Sequence, residues 1–322
     1  MTPSLARVLS LTAALSLAAC GDDGGPAAHP GPDAGAPAPD AGAPTALTLP
    51  DNFYPESLSA AANGTLYVGS IASGQVLAFD AGAAAPRVVL GASTGITAVT
   101  GVLVHGDELW VCSVDTQFKR ANEVRSFALD GTPHATLALP AGALCNDLAF
   151  DAADNLYVTD SFNGRVFRRP AGGNALTAWL TDPALAPASA GAFGLDGIAV
   201  IGSAVYLTKL DTGGIYRVAI TADGSAGPAT PITVSPALTS PDGMRALDDH
   251  TLLVVENTGT LAKLALTGDT AAATPLATDL DQPTGVALAR GAAWVSLGQL
   301  GRLFAQPPQP PHLPFTVVRV GL

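Results

Sequence analysis

The stretch at 147–160, "DLAFDAADNLYVTD", has the pattern of a β-hairpin, because two runs rich in apolar residues flank a polar turn. Its second strand, "LYVTD" from 156, recurs with variation as "LYVGS" at 66, "LWVCS" at 109, "VYLTK" at 205, "LLVVE" at 252 and "AWVSL" at 293. Successive copies begin 43, 47, 49, 47 and 41 residues apart, close to the length of a four-stranded propeller blade. The sequence therefore predicts an all-β fold, a six-bladed β-propeller with four-stranded antiparallel blades.

The remaining strands of each blade follow from the segments around these copies. A third strand is predicted after each of them, as in "GRVFRR" from 164 and "GRLFAQ" from 301. A propeller must also close its ring, and "TALTLP" at 45–50 is predicted to be the outer strand that completes the last blade. The segment "FTVVRV" at 315–320 competes for the same place, and the sequence leaves both open.

The N-terminal segment has the features of an export signal. Residues 1–20 combine one basic residue with a short apolar run, and they end in Leu17-Ala18-Ala19-Cys20, which resembles a bacterial lipobox. Cys20 is then the lipidated residue; the alternative is an ordinary signal peptide with an incidental cysteine. Residues 21–44 contain only Gly, Pro, Ala, Asp and a single His, so they predict a disordered tether. We expect an exported domain at 45–322, lipid-anchored to a bacterial membrane and either periplasmic or at the cell surface.

Charge and cysteine content narrow the class of function. The net charge is −12, and four of the acidic residues lie in the tether without any Lys or Arg. The folded part is therefore only mildly acidic, which argues against nucleic acid as a partner. Cys112 and Cys145 lack the spacing of a metal site. A disulfide and two separate thiols are both open for this pair.

The innermost strands align on a column of oxygen-bearing side chains at their second position. The column consists of Glu56, Thr100, Asn146, Asp196, Asp242 and Thr284. In a propeller all six inner strands start at the same face, so the column predicts a ring around one channel mouth. A turn-capping role suffices for the threonines, but three converging carboxylates would repel one another without a cation. Oxygen ligands favour a hard divalent cation, most simply Ca²⁺, with Mg²⁺, Mn²⁺ or Zn²⁺ possible.

Three charged residues end second strands and are predicted to lie on the same rim. They are Asp160, Lys209 and Glu256. Each could orient metal ligands or substrate; the alternative is a solvated charge in a loop or a hydrogen bond that joins blades, with Asp160 the one expected to be structural. The five histidines, at 29, 105, 134, 250 and 312, fall outside the column.

The segments "CNDLAFDAADNLYVTD" at 145–160 and "SPDGMRALDDHTLLVVEN" at 240–257 resemble the senescence-marker-protein-30/gluconolactonase/luciferin-regenerating-enzyme family of six-bladed propellers, over roughly 50–305. The resemblance implies one divalent cation in the channel mouth, held by Glu56, Asn146 and Asp242. The remaining ligand position carries Asp196 where that family typically has Asn. Asp147 completes the Asn-Asp motif beside the site, and Lys209 could offset the added charge of Asp196.

The activity implied by the resemblance is metal-dependent hydrolysis of small cyclic esters such as sugar lactones. Asp242 would act both as metal ligand and as general base. The protein is expected to be a monomer. A different class of function also stays open, a non-catalytic propeller that binds a sugar or a protein partner and contains a structural metal. The Asp at position 196 and the small, Ala/Gly-rich loops favour this alternative.

Overall fold

Groups of four antiparallel strands recur along the chain, whose computed structural model describes residues 44–117, 119–189 and 191–322. The predicted export signal, Cys20 and the tether up to residue 43 lie outside the described residues. No helix in the described ranges is long and apolar enough to span a membrane.

Each group of four strands follows the order of the chain, except that the last one takes its outer strand from the N-terminal side. Group 1 consists of β2 (Pro55–Ala60), β3 (Leu66–Ser70), β4 (Val76–Phe79) and β5 (Arg87–Leu90). Group 2 consists of β6 (Ala98–His105), β7 (Glu108–Val114), β8 (Glu123–Ala128) and β9 (Pro133–Ala138). Group 3 consists of β10 (Cys145–Phe150), β11 (Leu156–Asp160), β12 (Arg165–Arg169) and β13 (Thr177–Thr181).

The second half of the chain repeats the pattern. Group 4 consists of β14 (Leu195–Ile201), β15 (Ala204–Lys209), β16 (Gly214–Ile220) and β17 (Ala226–Ser235). Group 5 consists of β18 (Pro241–Asp248), β19 (Thr251–Glu256), β20 (Thr260–Thr267) and β21 (Thr270–Ala277). Group 6 consists of β22 (Pro283–Ala289), β23 (Ala292–Leu297), β24 (Thr316–Val320) and β1 (Ala46–Thr48). Within the described residues, the helical segments are α1 (Leu300–Leu303) and two 3₁₀ turns, Ala92–Thr94 and Pro183–Leu185.

The groups are arranged around their first strands. Strands β2, β6, β10, β14, β18 and β22 contact one another in that order, and β22 contacts β2 again. Groups 4 and 5 are also joined at their outer edge, where β17 and β21 pair in parallel over Thr233–Ser235 and Thr270–Ala272. This arrangement is consistent with a β-propeller, as the sequence predicts.

Both candidate segments for ring closure belong to group 6. The segment at 315–320 supplies β24, which pairs with β23, and the segment at 45–50 supplies β1, which pairs with β24. The outer-strand prediction for 45–50 is therefore confirmed. The competing segment at 315–320 forms the neighbouring strand, between β1 and β23. The prediction of a third strand at "GRLFAQ" is wrong, because this segment contains α1. Its N-terminal flank Gln299 has φ 53°, in the left-handed region, which turns the chain away from β23 before a strand can form.

The hairpin at 147–160 shows how the repeated unit folds locally. Asp151 ends the first strand, and its carboxylate accepts hydrogen bonds from the backbone N–H groups of Ala153 and Asn155, each at 2.9 Å. The Tyr157 hydroxyl donates to the same carboxylate at 3.0 Å. These bonds fix the turn, while Leu156 and Val158 point into the core between groups 2 and 3. The polar turn and the apolar strands thus play the parts that the pattern predicts.

Apolar side chains from neighbouring groups pack together and fill the space between them. One core joins groups 6 and 1, with Leu58, Phe79, Trp294 and Val317 almost fully buried. Between groups 2 and 3, Cys112 on β7 and Cys145 on β10 form a disulfide with a Cα–Cα distance of 5.5 Å. The pair that the sequence left open is therefore bridged.

Candidate functional site

The six first strands begin at one rim, and the second strands end at the same rim. Pro55 pairs with Ser70, Cys145 with Asp160, Leu195 with Lys209 and Pro241 with Glu256, as the shared-rim prediction requires. Each first strand has a register shift close to its start, and the column residue lies inside this shift without a paired residue on the second strand. The shifts lie between Pro55 and Leu58, Val99 and Val102, Cys145 and Leu148, Leu195 and Ile198, Pro241 and Met244, and Pro283 and Gly285. Such bulges redirect side chains. Here all six column residues line the same narrow cavity.

The structure brings three predicted carboxylates together in the channel mouth. One oxygen each from Glu56, Asp196 and Asp242 lies within 4.8 Å of the others, and all three residues are buried. Asn146 joins them, since its Nδ2 donates to Asp196 Oδ2 at 3.0 Å and to Ser161 Oγ at 3.0 Å. The four residues expected to bind a metal thus form one cluster, contributed by four different strand groups.

Close approach of the first strands explains the glycines that follow Asp196 and Asp242. A Cβ on Gly197 would lie 2.5 Å from the backbone oxygen of Asp242, and one on Gly243 would lie 2.6 Å from that of Thr284. No side chain fits at such distances. The Asp-Gly pairs therefore combine a side chain directed at the channel with a backbone that lets the next strand approach.

Hydroxyl groups hold the column residues in place from the neighbouring second strands. Thr159 donates to the backbone oxygen of Asp196 at 2.7 Å, and Thr208 donates to that of Asp242 at 2.9 Å. Both threonines are fully buried. The backbones of Asp196 and Asp242 are thereby held by the preceding group as well as by their own strands.

Burial and mutual repulsion raise the pKa values of the clustered carboxyl groups. Burial is the largest cause for Glu56, whose pKa is raised well above its usual range, with Asp242 and Asp196 adding to the effect. Burial likewise raises the pKa of Asp242, and the charge of Asp196 raises it further. For Asp196, burial raises the pKa to about 7. The two aspartates share a side-chain hydrogen bond, as expected where like charges are forced together.

A buried ion pair lies beside the cluster and was not anticipated from the sequence. Arg245 Nη1 is 2.7 Å from Asp147 Oδ2, and Nη2 is 3.2 Å from Asp147 Oδ1. Both residues line the same narrow cavity as the three carboxylates. The guanidinium lowers the pKa of Glu56, against the larger effects that raise it. Asp147 therefore holds the positively charged guanidinium of Arg245 in the channel.

The other rim residues have structural partners. Asp160 is fully buried, and its carboxylate binds the Arg165 guanidinium at 2.7 Å and accepts a hydrogen bond from the backbone N–H of Leu144 at 3.0 Å. Glu256 Oε1 accepts a hydrogen bond from the backbone N–H of Thr239 at 3.2 Å. Both carboxylates are thus used in hydrogen bonds within the protein, but their partners belong to the same strand group or to the loop that leads into it, so these bonds do not join neighbouring groups.

Lys209 has a partner other than the one that the sequence suggested. Its Nζ lies 2.6 Å from Asp211 Oδ1, and both side chains are largely buried. The structure thus gives no support to a direct role of Lys209 in offsetting the charge of Asp196.

The two column threonines join neighbouring first strands. Thr100 donates its hydroxyl to the backbone oxygen of Cys145 at 2.7 Å, and Thr284 donates to that of Pro55 at 3.0 Å. Their hydroxyls are used within the protein, in line with the structural role expected for them. The described histidines, at 105, 134, 250 and 312, do not line the mouth.

Above the carboxylates the channel opens into a pocket of about 290 Å³. Its floor consists of polar column residues together with Asn257, whose side chain hydrogen-bonds to Asp242. Its outer part is lined by large apolar side chains, namely Ile71, Phe193, Leu210, Leu300 and Phe304. The sequence did not reveal these residues as a set, since they come from separate loops that meet only after the ring has closed.

The cluster has the donor chemistry of a site for a hard divalent cation. Three carboxylates are concentrated in a buried space, where their repulsion is relieved either by protons or by a cation. In addition, Asn257 Oδ1 is buried and has no hydrogen-bond partner among the described residues. A cation would compensate the carboxylates, and rotation of the Asn146 amide would direct its oxygen toward them. The residues therefore fit the group implied by the resemblance.

No family model and no curated protein matches the chain, whereas solved structures do match it in fold. The major allergen Mala s 1 of Malassezia sympodialis aligns with a TM-score of 0.68 and 12% identity, covering 86% of this chain and 96% of the allergen. A gluconolactonase from Xanthomonas campestris aligns with a TM-score of 0.61 and 17% identity, covering 85% and 89%. Virginiamycin B lyase from Staphylococcus aureus aligns with a TM-score of 0.56 and 12% identity, covering 86% and 98%. Likeness at these identities supports the β-propeller fold.

Proposed function

We propose that the protein is a metal-dependent hydrolase of small cyclic esters, built on a six-bladed propeller whose blades are the six strand groups. The single observation that carries this proposal is the cluster of Glu56, Asp196 and Asp242 at the floor of an open pocket. A scaffold without a ligand has no use for three buried carboxylates within 4.8 Å of one another, since burying each of them costs free energy.

The cation is assigned to Glu56, Asn146, Asp196 and Asp242, with Ca²⁺ as the simplest candidate. When bound, it supplies a Lewis acid that polarises an ester carbonyl and increases the acidity of water. The protein contributes the positions: column residues held by hydrogen bonds between the strand groups, and a pocket of about 290 Å³ lined by the same residues. Asn257 lines the pocket beside Asp242, and its side chain lowers the pKa of Asp242, against the larger effect of burial that raises it.

Asp242 is assigned the role of general base. Its carboxylate lies on the pocket floor, where it can accept a proton from the water that attacks the carbonyl carbon. The new C–O bond forms from that water, the ring C–O bond breaks, and the leaving ring oxygen takes up the proton from Asp242. The product is an open-chain hydroxy acid, and Asp242 returns to its starting charge.

Comparison with solved structures favours a lactonase over a lyase for this chain. The gluconolactonase from Xanthomonas campestris shares the fold with a TM-score of 0.61. Virginiamycin B lyase also shares it, and a variant of that enzyme with a histidine replaced by alanine is described as catalytically inactive. None of the histidines within residues 44–117, 119–189 and 191–322 lines the pocket, so that part of the chain places no histidine where such a reaction would need one.

The protein is proposed to act outside the cytoplasm, tethered through a lipid on Cys20. The Cys112–Cys145 disulfide supports an exported location, because such bonds persist in oxidising compartments. Fractionation of cells that produce the wild-type protein and Cys20→Ala tests the tether. Recovery of both proteins in the same fraction would contradict it.

The decisive experiment is a lactone-hydrolysis panel on the purified protein, with chelator and after addition of Ca²⁺, Mn²⁺ or Zn²⁺. Turnover that is lost with chelator and restored by one cation is expected. Asp242→Asn should abolish turnover without unfolding the protein, whereas Asp249→Asn, in the exposed turn of the same hairpin, should leave it unchanged. An inactive protein that still binds a cation would instead support the alternative, a non-catalytic propeller with a structural metal.

A further inference from the structure

The pocket above the carboxylates has two chemically distinct parts. All of its polar lining residues lie on the floor, where Thr100 and Asn146 already use their donors within the protein. The outer wall consists of Ile71, Phe193, Leu210, Leu300 and Phe304, with Gly301 beside them. Among the described lining residues, the wall thus offers no side-chain hydrogen bond to a ligand.

The wall is placed by the segment that follows β23. Instead of continuing into a third strand, this segment forms α1, which positions Leu300 and Phe304 over the mouth. The buried Gln299 side chain braces it, because its Nε2 donates to the backbone oxygen of His312 at 2.8 Å and its Oε1 accepts from the His312 N–H at 2.7 Å. These hydrogen bonds hold the part of the wall that α1 supplies in place before a ligand binds.

Phe304 and Phe193 form the outer edge of this wall. Their ring centroids lie 6.3 Å apart, and Phe193 also contacts Phe162 at 5.5 Å. Phe304 is 49% exposed. An exposed aromatic side chain at the rim of a concave site, next to other apolar residues, is typical of a surface that receives an apolar group.

We infer that the site takes a lactone with an apolar substituent, such as an alkyl chain, rather than a polyhydroxylated sugar lactone. The ester group lies over the carboxylate cluster, and the chain lies along the wall. Sugar hydroxyls placed there would lose hydrogen bonds to water without replacement. Each methylene placed there should instead improve binding roughly fourfold. The reaction rests on the proposed function, whereas the binding preference can be tested without it.

Binding is measured by calorimetry with γ-lactams, which resist hydrolysis, carrying ethyl, butyl or hexyl chains. Affinity should rise with chain length, and Phe304→Ala should weaken the hexyl compound by about tenfold while changing the ethyl compound little. Phe304→Leu, which keeps an apolar side chain, should retain most of the affinity. Val88→Ala is the matched control, because Val88 is an exposed apolar residue on β5 outside the pocket.

The two proposals fail in different ways. Chain-length dependence that is reduced in Phe304→Ala, in a protein that hydrolyses no lactone, supports the apolar wall and contradicts the proposed reaction. Faster metal-dependent hydrolysis of gluconolactone than of any alkyl lactone supports the reaction and overturns the apolar preference. Equal affinity for all three lactams also overturns it, as does an unchanged affinity in Phe304→Ala whose circular dichroism matches the wild type.

Discussion

Arg245 binds both carboxylate oxygens of Asp147 across the channel, at 2.7 and 3.2 Å, although the two residues are 98 positions apart in sequence. Its Nη2 also donates to the backbone oxygen of Val102 at 3.3 Å. One side chain from β18 therefore contacts β10 and β6 as well. This guanidinium also places a positive charge next to the carboxylate cluster, where it lowers the pKa of Glu56.

Replacing Arg245 by Met should lower the free energy of unfolding by about 3–5 kcal/mol, because it leaves the buried Asp147 carboxylate without a compensating positive charge. Urea denaturation with chelator present measures the effect. Arg217→Met is the matched control: its partner Asp269 is half exposed, so a loss below about 1 kcal/mol is expected. Adding Asp147→Leu to the Arg245 variant should recover much of the loss. Equal destabilisation by the two arginine variants would contradict a structural role of the buried pair.

Without a cation, the carboxylate cluster should make the protein less stable as the pH rises. Glu56, Asp196 and Asp242 have pKa values above their usual range in the folded state, chiefly through burial. The unfolded chain therefore releases these protons at lower pH than the folded protein does. The contribution of these protonated carboxyl groups to the free energy of unfolding is fully present below about pH 4. It is lost as the pH rises through about 7, which is the pKa of Asp196 in the folded protein.

Denaturation of the chelated protein at several pH values measures this loss, which can reach about 1.4 kcal/mol per pH unit for each group. Added Ca²⁺ should oppose it, by about 2.7 kcal/mol at a concentration one hundred times the dissociation constant. Asp269→Asn, which removes an exposed carboxylate, should leave the slope unchanged. A chelated protein that becomes more stable between pH 5 and 8 would be inconsistent with this picture.

Removal of the disulfide should lower stability without changing the site. The bond closes a loop with a sequence separation of 33 residues, which corresponds to about 2–4 kcal/mol. The variant Cys112→Ala/Cys145→Ala, compared with the wild-type protein in denaturation experiments, measures this loss. Reductant should reproduce the loss in the wild type and have no effect on the variant, and metal affinity should be preserved because neither sulfur is a ligand.

Much of the fold could be predicted because each repeated hairpin carries its own turn chemistry and strand pattern. The pairing register between first and second strands could be predicted as well, because a short hairpin loop fixes which residues face each other. The pairs Pro55–Ser70 and Pro241–Glu256 are examples. The short helix α1 could not be predicted in this way. The segment "GRLFAQ" has the composition of the other third strands, and what differs is the left-handed backbone of Gln299 and its hydrogen bonds to His312.

The carboxylate cluster could be predicted because equivalent positions in a ring converge on one axis. Arg245 could not, since strict alternation along a strand places residues 242 and 245 on opposite faces. The register shift between Pro241 and Met244 changes this relationship and brings both side chains to the channel. The apolar wall was missed for another reason: its five residues come from four segments far apart in sequence, with only Leu300 and Phe304 close together, and no local pattern links them.

Asp196→Asn tests whether the third carboxylate sets the strength of cation binding. The substitution keeps the size and most contacts of the side chain while removing one negative charge from a cluster whose oxygens lie within 4.8 Å. Cation affinity should fall by at least about tenfold, since one charge-pair attraction is lost in a buried site. Repulsion of Asp242 by Asp196 is lost as well, so the pH slope of the chelated protein should become shallower. Calorimetric titration with Ca²⁺ measures the first effect and denaturation the second; a shallower slope with unchanged affinity would show that Asp196 belongs to the charge cluster but is not a ligand.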